Sequence, residues 1–312
     1  MESKKIFIRG LIFIGILLVI YFPSVVLMSK LKYKGKPLIC RTADIYKLKG
    51  GNTYQKFKEF NKDKRYDIIV IGSSQAYRGY DPRNFKKEGL NIFNLGTSGQ
   101  SPLNSFVIAK NYITSQNCSL VLFDVYDGIF NGTGFESTSD LIQNLSSGKA
   151  AIEMASKNNN PQVLNMLALR ILNSNSPPTF IDSSYVAGGF TQKNDTLRYS
   201  LPFEEYESYY APSPDQIEYF EKTLQYFKEK NIPVILTSLP FPKEKSKKEH
   251  YKYAQIFDSA AKKFGIKYLD YSFNTDFDSE LHFFDSHHLN QSGVNLFNEI
   301  LLKDLHKMNY IK

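Results

Sequence analysis

The chain has 312 residues, of which 42% are hydrophobic and 22% charged, and its formal net charge is +8. This is the composition of a globular protein with one membrane-type segment, and no repeat or low-complexity tract is visible. The positive charge suits anionic glycans or lipid headgroups, but no nucleic-acid-binding motif accompanies it, so we predict that nucleic acid is not a partner.

An apolar segment begins the chain. Uncharged residues run from Gly10 to Met28, which is long enough to span a bilayer as a helix. Basic residues precede the segment, as in a signal sequence, but no small-x-small cleavage site follows it. The sequence therefore predicts an uncleaved membrane anchor over residues 1–29. Basic residues also follow the segment, so charge alone does not fix its orientation.

The rest of the chain is predicted to be a connector followed by one domain. Residues 30–64 are predicted to be a Lys- and Tyr-rich connector. From 65 to 312 short strands and helices alternate, which predicts an α/β domain whose parallel sheet is covered on both faces, a three-layer α/β/α arrangement. A long segment at about 128–213 interrupts this pattern and is predicted to be an insertion that shapes substrate access. Three of its tyrosines either stack on sugar rings or, more simply, pack the insertion onto the core: Tyr206, Tyr209 and Tyr210.

The most informative stretch of the domain spans residues 67–78. Four β-branched apolar residues run directly into Gly72, Ser73 and Ser74, which predicts a buried strand that ends in a tight turn. Ligands bind at the carboxyl ends of strands in open α/β sheets, and a serine that begins a helix there has a free backbone N–H for an oxyanion. The simpler alternative is an ordinary strand-to-helix loop in which one serine caps the helix.

Two further strands are predicted after this turn. Residues 91–100 predict a short strand followed by a glycine turn, a pattern that by itself also fits a helix-capping loop. Residues 120–123 predict another buried strand.

A polar block stands near the end of the chain, just ahead of an amphipathic helix. Asp285 precedes His288 by three residues, so one loop can hold a carboxylate beside an imidazole. A serine nucleophile needs a base within hydrogen-bond reach, and that base needs an acceptor that fixes its tautomer. The block therefore supplies the two groups that a nucleophilic serine requires.

The chain order serine, aspartate, histidine, with the last two in a D-x-x-H spacing, resembles the SGNH (GDSL-type) hydrolase superfamily. The resemblance implies that Ser74 is the nucleophile, His288 its base and Asp285 the residue that orients the base. It also implies an oxyanion hole made by the backbone amides of Ser74 and Gly99, with Gly96 as the fallback for the second. An SGNH-hydrolase or flavodoxin-like sheet follows from the same resemblance, and no cofactor or metal is implied.

The chain departs from this family at one block. The family pattern Gly-x-Asn-Asp after the third strand has no asparagine here; Tyr126 is nearest to the position and Asn131 follows later. Divergent branches of the family include membrane-anchored proteins that acylate envelope polymers. The resemblance thus implies an esterase or O-acyltransferase that acts outside the cytoplasm on O-acetyl groups of cell-envelope polysaccharide. A transferase would need an acyl donor, delivered by a multi-pass membrane partner.

Other interpretations remain open at this point. The missing asparagine fits a non-catalytic anchored glycan-binding or assembly protein that keeps the fold, although such a protein has no need of the serine, histidine and aspartate. A metal site built from His282, Asp285, His287 and His288 matches no standard zinc spacing, so no metal is predicted. His250 is predicted to occupy a surface position on a helix. Two cysteines could pair if exported, but a free buried thiol is favoured for the second; they are Cys40 and Cys118.

Overall fold

The computed structural model describes residues 2–42, 48–196, 211–245 and 247–311. The three tyrosines of the insertion lie outside these residues. The helices are α1 (Glu2–Lys30), α2 (Gly51–Glu59), α3 (Ser74–Gly79), α4 (Pro82–Lys87), α5 (Pro102–Tyr112), α6 (Phe135–Asn144), α7 (Gly148–Lys157), α8 (Gln162–Leu172), α9 (Pro214–Glu229), α10 (Lys247–Phe264), α11 (Ser279–His282) and α12 (Gln291–Lys307), and a 3-10 turn spans Leu38–Thr42. The strands are β1 (Lys32–Tyr33), β2 (Lys36–Pro37), β3 (Tyr66–Ile71), β4 (Ile92–Asn94), β5 (Cys118–Asp124), β6 (Tyr185–Val186), β7 (Phe190–Thr191), β8 (Val234–Ser238) and β9 (Lys267–Asp270).

Five parallel strands form the central sheet, in the order β4-β3-β5-β8-β9. The chain leaves β3 for β4 on one side and then returns to place β5 on the other. The strand order therefore reverses next to β3, and such a switch point is where doubly wound sheets bind ligands. The apolar runs of the sequence become strands because both faces of the sheet are covered: Ile69 and Ile71 point into one core, Ile68 and Val70 into the other.

Helices cover both faces of the sheet. Residues of α2, α5, α9 and α10 fill the core on one face, and those of α3, α4 and α12 fill the other. In α12 the predicted apolar stripe is buried, including Phe297 and Leu301 at 0% exposure. The predicted three-layer α/β/α fold is therefore confirmed.

Two short helices, α6 and α7, lie in the predicted insertion. Helix α6 ends at Asn144, and Ser147 starts α7 by accepting a hydrogen bond from the backbone amide of Ala150 at 3.2 Å. Inside the predicted connector, α2 buries Phe57 in the domain core. The division of the chain at residue 65 stays a prediction.

The N-terminal helix α1 is long and apolar enough to cross a membrane. Its side chains are exposed up to Phe22, whereas Val25 is only 6% exposed and packs with α8. Nearby, the Tyr21 hydroxyl donates to Asn165 of α8 at 2.8 Å. The last third of α1 is therefore packed against the domain. Cys40 lies in this contact, and both it and Cys118 are buried free thiols.

Candidate active site

A tight turn at the end of β3 presents Ser74. Gly72 has φ 147°, and a Cβ there would lie 2.7 Å from the Cβ of Asp124, so only glycine fits this position. Ser73 caps α3, since its hydroxyl accepts from the backbone amide of Gln75 at 3.4 Å. Ser74 is then the first residue of α3, and its hydroxyl is left for other partners.

The histidine and the aspartate share one tight loop, which is closed by a bridge between Phe283 and Leu289. The carboxylate oxygen Oδ1 of Asp285 accepts from the backbone amides of His287 and His288, at 3.0 and 2.8 Å. These two bonds hold the carboxylate in place beside the imidazole. The ring of Phe284 stacks on that of His288, with centroids 5.4 Å apart. This loop fixes the direction of the imidazole.

The structure brings the three predicted residues into one hydrogen-bonded chain. His288 Nε2 lies 2.8 Å from Ser74 Oγ, and His288 Nδ1 lies 2.8 Å from Asp285 Oδ2. A carboxylate accepts only, so Nδ1 carries the proton and donates it to Asp285. Nε2 is then the acceptor for the Ser74 hydroxyl. This is the order of groups that activates a serine for attack on a carbonyl.

The charges of the pair suit a base at neutral pH. Burial acts to raise the pKa of Asp285, but the hydrogen bond and the charge of His288 outweigh it and hold that pKa at about 2. Burial lowers the pKa of His288 from its ordinary value, and the attraction of Asp285 only partly offsets this. The imidazole is therefore neutral near pH 7, the form that accepts a proton.

Arg78 is a site residue that the sequence analysis missed. Its Nη1 lies 3.4 Å from His288 Nδ1, and its guanidinium lies 5.0 Å from the ring centroid of Phe284. Because Nδ1 already donates to Asp285, two donors face each other and the contact is electrostatic rather than a hydrogen bond. The spacing of four residues from Ser74 places both on one helix face, which was the available signal.

We expect Arg78→Gln to move the acidic limb of the activity profile to higher pH. The positive charge of Arg78 disfavours the imidazolium and so lowers the pKa of His288. Removing that charge raises this pKa, and the base is then lost at a higher pH than in the wild type. The measurement is kcat/KM for p-nitrophenyl acetate between pH 5 and 9, an assay range chosen to include the acidic limb of the profile.

Arg65→Gln is the matched control, since Arg65 precedes β3 and binds Ser119 at the opposite edge of the sheet. The pH profile of kcat/KM for Arg65→Gln should equal that of the wild type. A limb that stays in place or moves to lower pH in Arg78→Gln would contradict the electrostatic role.

The two predicted oxyanion donors lie at adjacent turns. The Ser74 amide is the first of α3 and has no partner within the helix. The loop after β4 is tied to the serine turn, because the Thr97 amide donates to the carbonyl of Gly72 at 3.1 Å. In this loop Gly99 has φ 58°, and its amide donates to no acceptor among the described residues. The amide of the fallback, Gly96, already donates to Asn94 Oδ1 at 3.0 Å, which favours Gly99.

A buried lysine is hydrogen-bonded to the loop after β4. Lys56 of α2 is 0% exposed, its ammonium donates to the carbonyl of Gly96, and it lies 5.0 Å from the ring centroid of Tyr77. Burial lowers its pKa to about 7, against the opposing effect of Asp140. Sequence reasoning assigned Lys56 to the connector, because nothing local shows a contact with a loop forty residues later.

Two residues near the block that lacks the family asparagine were named from the sequence, Asn131 and Tyr126. Asn131 Oδ1 accepts from the hydroxyl of Tyr253 on α10 at 3.1 Å, so this side chain is engaged elsewhere. Burial raises the pKa of Tyr126 to about 12, so its hydroxyl keeps the proton at neutral pH. Tyr126 therefore keeps its hydroxyl proton, whereas the side-chain oxygen of Asn131 is bound by α10.

The prediction that His250 lies at the surface is wrong. The side chain is 0% exposed, and its ring nitrogens lie 2.7 Å from Asp127 and 2.9 Å from Asp270. Burial acts to lower its pKa, but hydrogen bonds to both carboxylates raise it to about 9. A charged histidine is stable inside the protein because these carboxylates, from the loop after β5 and the end of β9, neutralise it.

The metal alternative finds little support in the geometry. Ligand atoms of Asp285, His287 and His288 lie within 4.8 Å of one another. Both ring nitrogens of His288 are engaged, however, by Asp285 and Ser74. The fourth residue, His282, accepts from the backbone amide of Asp278 at 2.8 Å. The absence of a metal stays a prediction.

No protein-family model matches the chain, and no curated protein matches it in sequence. Solved structures with a similar fold include a GDSL-like lipase from Bacteroides thetaiotaomicron, at 14% identity and TM-score 0.39, covering 79% of this chain and 90% of that one. An acetyl xylan esterase matches at 11% identity and TM-score 0.42, covering 77% of this chain and 99% of that one. A catalytic mutant of an acetylxylan esterase from Geobacillus stearothermophilus matches at 10% identity and TM-score 0.43, covering 78% and 94%. Similarities at this level concern the fold alone.

The sheet itself carries the assignment of the fold. Its strands are parallel, their order reverses beside β3, and Ser74 starts the helix that follows that strand. The C-terminal loop brings His288 and Asp285 to the same edge. The chain has a three-layer α/β/α fold, as its sequence predicted, and its sequence blocks resemble those of the SGNH (GDSL-type) hydrolase superfamily.

Proposed function

We propose that this protein is a serine-dependent acyl-ester hydrolase or O-acyltransferase that forms an acyl-enzyme at Ser74. The hydrogen-bonded chain from Ser74 through His288 to Asp285 carries the proposal. A module that only binds glycans has no use for a neutral, buried imidazole held between a hydroxyl and a carboxylate. These groups together serve acyl transfer.

The reaction proceeds in two steps. His288 Nε2 takes the proton of Ser74 as Oγ attacks the ester carbonyl, and the amides of Ser74 and Gly99 bind the oxyanion. The C–O bond to the leaving alcohol breaks, and the alcohol takes the proton from His288. An incoming hydroxyl then repeats these events on the acyl-enzyme. Water as the acceptor gives an esterase, and a sugar hydroxyl gives an O-acyltransferase.

We propose O-acetyl groups of a cell-envelope polysaccharide as the substrate. The apolar helix α1 supports an anchored protein, since its last third packs on the domain and its removal would uncover the apolar residues that pack with Val25. The net charge of +8 suits anionic glycans. In the transferase case a multi-pass membrane protein would supply the acyl group. We place the domain outside the cytoplasm on the analogy with anchored members of the family.

The test uses the full chain in detergent, because α1 is part of the packed structure. Purified protein is incubated with p-nitrophenyl acetate, with and without a soluble oligosaccharide. We expect release of p-nitrophenolate, and mass spectrometry of the sugar separates the two reactions. Acetylated sugar identifies a transferase and free acetate a hydrolase. If neither forms and no fluorophosphonate label is taken up, the proposal is rejected in favour of the non-catalytic alternative.

A further inference from the structure

Helix α8 is apolar on its exposed face as well as on its buried one. Val163, Met166 and Leu169 are buried at 0–1% exposure. Leu164 is 52% and Ile171 64% exposed, and their spacing of seven residues places them on one stripe. Leu172 continues the stripe at 44% exposure. A surface helix normally presents polar residues to water, so a second apolar face indicates a non-aqueous surrounding.

The position of α8 beside α1 indicates what this non-aqueous surrounding of its exposed face is. Asn165 of α8 binds Tyr21, which is nine residues before the end of α1 at Lys30, or about 13 Å along the helix axis. Val25, on the side of α1 that faces α8, is only 6% exposed, and the exposed apolar side chains of α1 end a few residues later at Leu27, which is 57% exposed. When α1 spans a bilayer, α8 therefore lies at the depth where the bilayer begins.

Basic and polar groups border the same helix. Lys49, Lys58 and Arg170 line a cavity of about 290 Å³, together with the amides and hydroxyls of Asn144, Ser146, Asn173 and Ser174. Arg170 belongs to α8, and its guanidinium binds the carbonyls of Ile142 and Leu145. Past α8, Phe180 and Ile181 are again exposed, at 57 and 59%. Apolar side chains beside cationic groups are the pattern of a surface that lies on an anionic membrane.

We propose that the exposed face of α8 and its flanking residues lies in the surface of the bilayer that α1 spans, with the basic cavity over anionic phospholipid headgroups. Lys49 helps to hold this surface together, because its ammonium donates to the carbonyls of Ser174 and Ser176. The domain then has two attachments to the membrane, which restricts its rotation about α1. This inference is independent of the chemistry at Ser74.

Tryptophan fluorescence tests the proposal directly, since the chain contains no tryptophan. The variants Leu164→Trp and Ile171→Trp of the full chain are reconstituted in nanodiscs of phosphatidylcholine and phosphatidylglycerol, with or without brominated acyl chains. Bromine quenches only a tryptophan in contact with the acyl region. We expect at least about twofold quenching for both variants, because an interfacial helix buries its apolar face at the acyl boundary.

Tyr251→Trp is the control, because Tyr251 is 56% exposed on α10, which packs beside β9. All three variants keep α1, so insertion of the anchor does not account for a difference between them. Quenching of the α8 variants no stronger than that of Tyr251→Trp would overturn the proposal and leave this face to water or to a partner protein.

Charge gives a second readout. Lys58 is exposed at the rim of the cavity, so Lys58→Glu in the Ile171→Trp chain should reduce quenching in discs with phosphatidylglycerol. In discs of phosphatidylcholine alone the same substitution should have no effect. Equal quenching with and without the substitution in both lipids would reject the role of the anionic headgroups.

Discussion

Ser74→Ala is expected to lower the turnover of p-nitrophenyl acetate by about 10⁴-fold or more and to abolish fluorophosphonate labelling. The hydroxyl of Ser74 is the group bound to His288 Nε2 at 2.8 Å, so its removal takes away the nucleophile that would form the acyl-enzyme. The oxyanion amides remain, and a small residual rate over water should therefore persist. Labelling is read on a gel and turnover at saturating substrate.

Ser73→Ala is the internal control for this result. Ser73 differs from Ser74 by one position, but its hydroxyl caps α3 through the amide of Gln75 and is 1% exposed. Its loss should cost about 1 kcal/mol of stability, measured by chemical unfolding, while labelling continues. If Ser73→Ala loses the label and Ser74→Ala keeps it, the nucleophile has been assigned to the wrong serine.

Local sequence patterns were sufficient for the fold and for the placement of three residues of the candidate site. Strand β3 was predictable because its apolar run ends in Gly72, where the approach of Asp124 excludes any side chain. The aspartate and the histidine were predictable because one short loop holds both, through backbone bonds that a D-x-x-H spacing allows. In each case the residues that determine the structure are neighbours in the chain.

Residues that act through distant contacts were not predictable in this way. Lys56 reaches the carbonyl of Gly96 from a helix that the composition assigned to a connector. His250 looked like a surface residue of an amphipathic helix, and only the folded chain brings Asp127 and Asp270 to its two nitrogens. In both cases tertiary contacts overrule local polarity, because a buried charge is tolerated only where distant partners compensate it.

Asp285→Asn is expected to lower kcat by about 10⁴-fold at neutral pH while the loop keeps its shape. Oδ1 of the asparagine can still accept from the amides of His287 and His288, as Asp285 Oδ1 does at 3.0 and 2.8 Å. Its amide nitrogen then faces His288 Nδ1 and donates to it. The ring proton moves to Nε2, which can no longer accept from Ser74.

A comparison of kcat with thermal unfolding distinguishes a change of the histidine tautomer from a loss of protein stability. Asp285 is ionised throughout the working range, since its pKa is about 2, so the wild-type histidine always has its acceptor. Asp278→Asn is the matched control, because Asp278 caps α11 in the same region and accepts from the amides of Glu280 and Leu281. The control should change kcat by less than about twofold, as a surface cap affects stability rather than chemistry.

The outcome depends on kcat and the unfolding temperature together. If Asp285→Asn unfolds at a temperature close to that of the control but loses kcat as expected, the loss is due to the changed position of the proton on the imidazole. A kcat within tenfold of the wild type would mean that another group orients His288, and Arg78, the other group beside Nδ1, would be the next residue to replace.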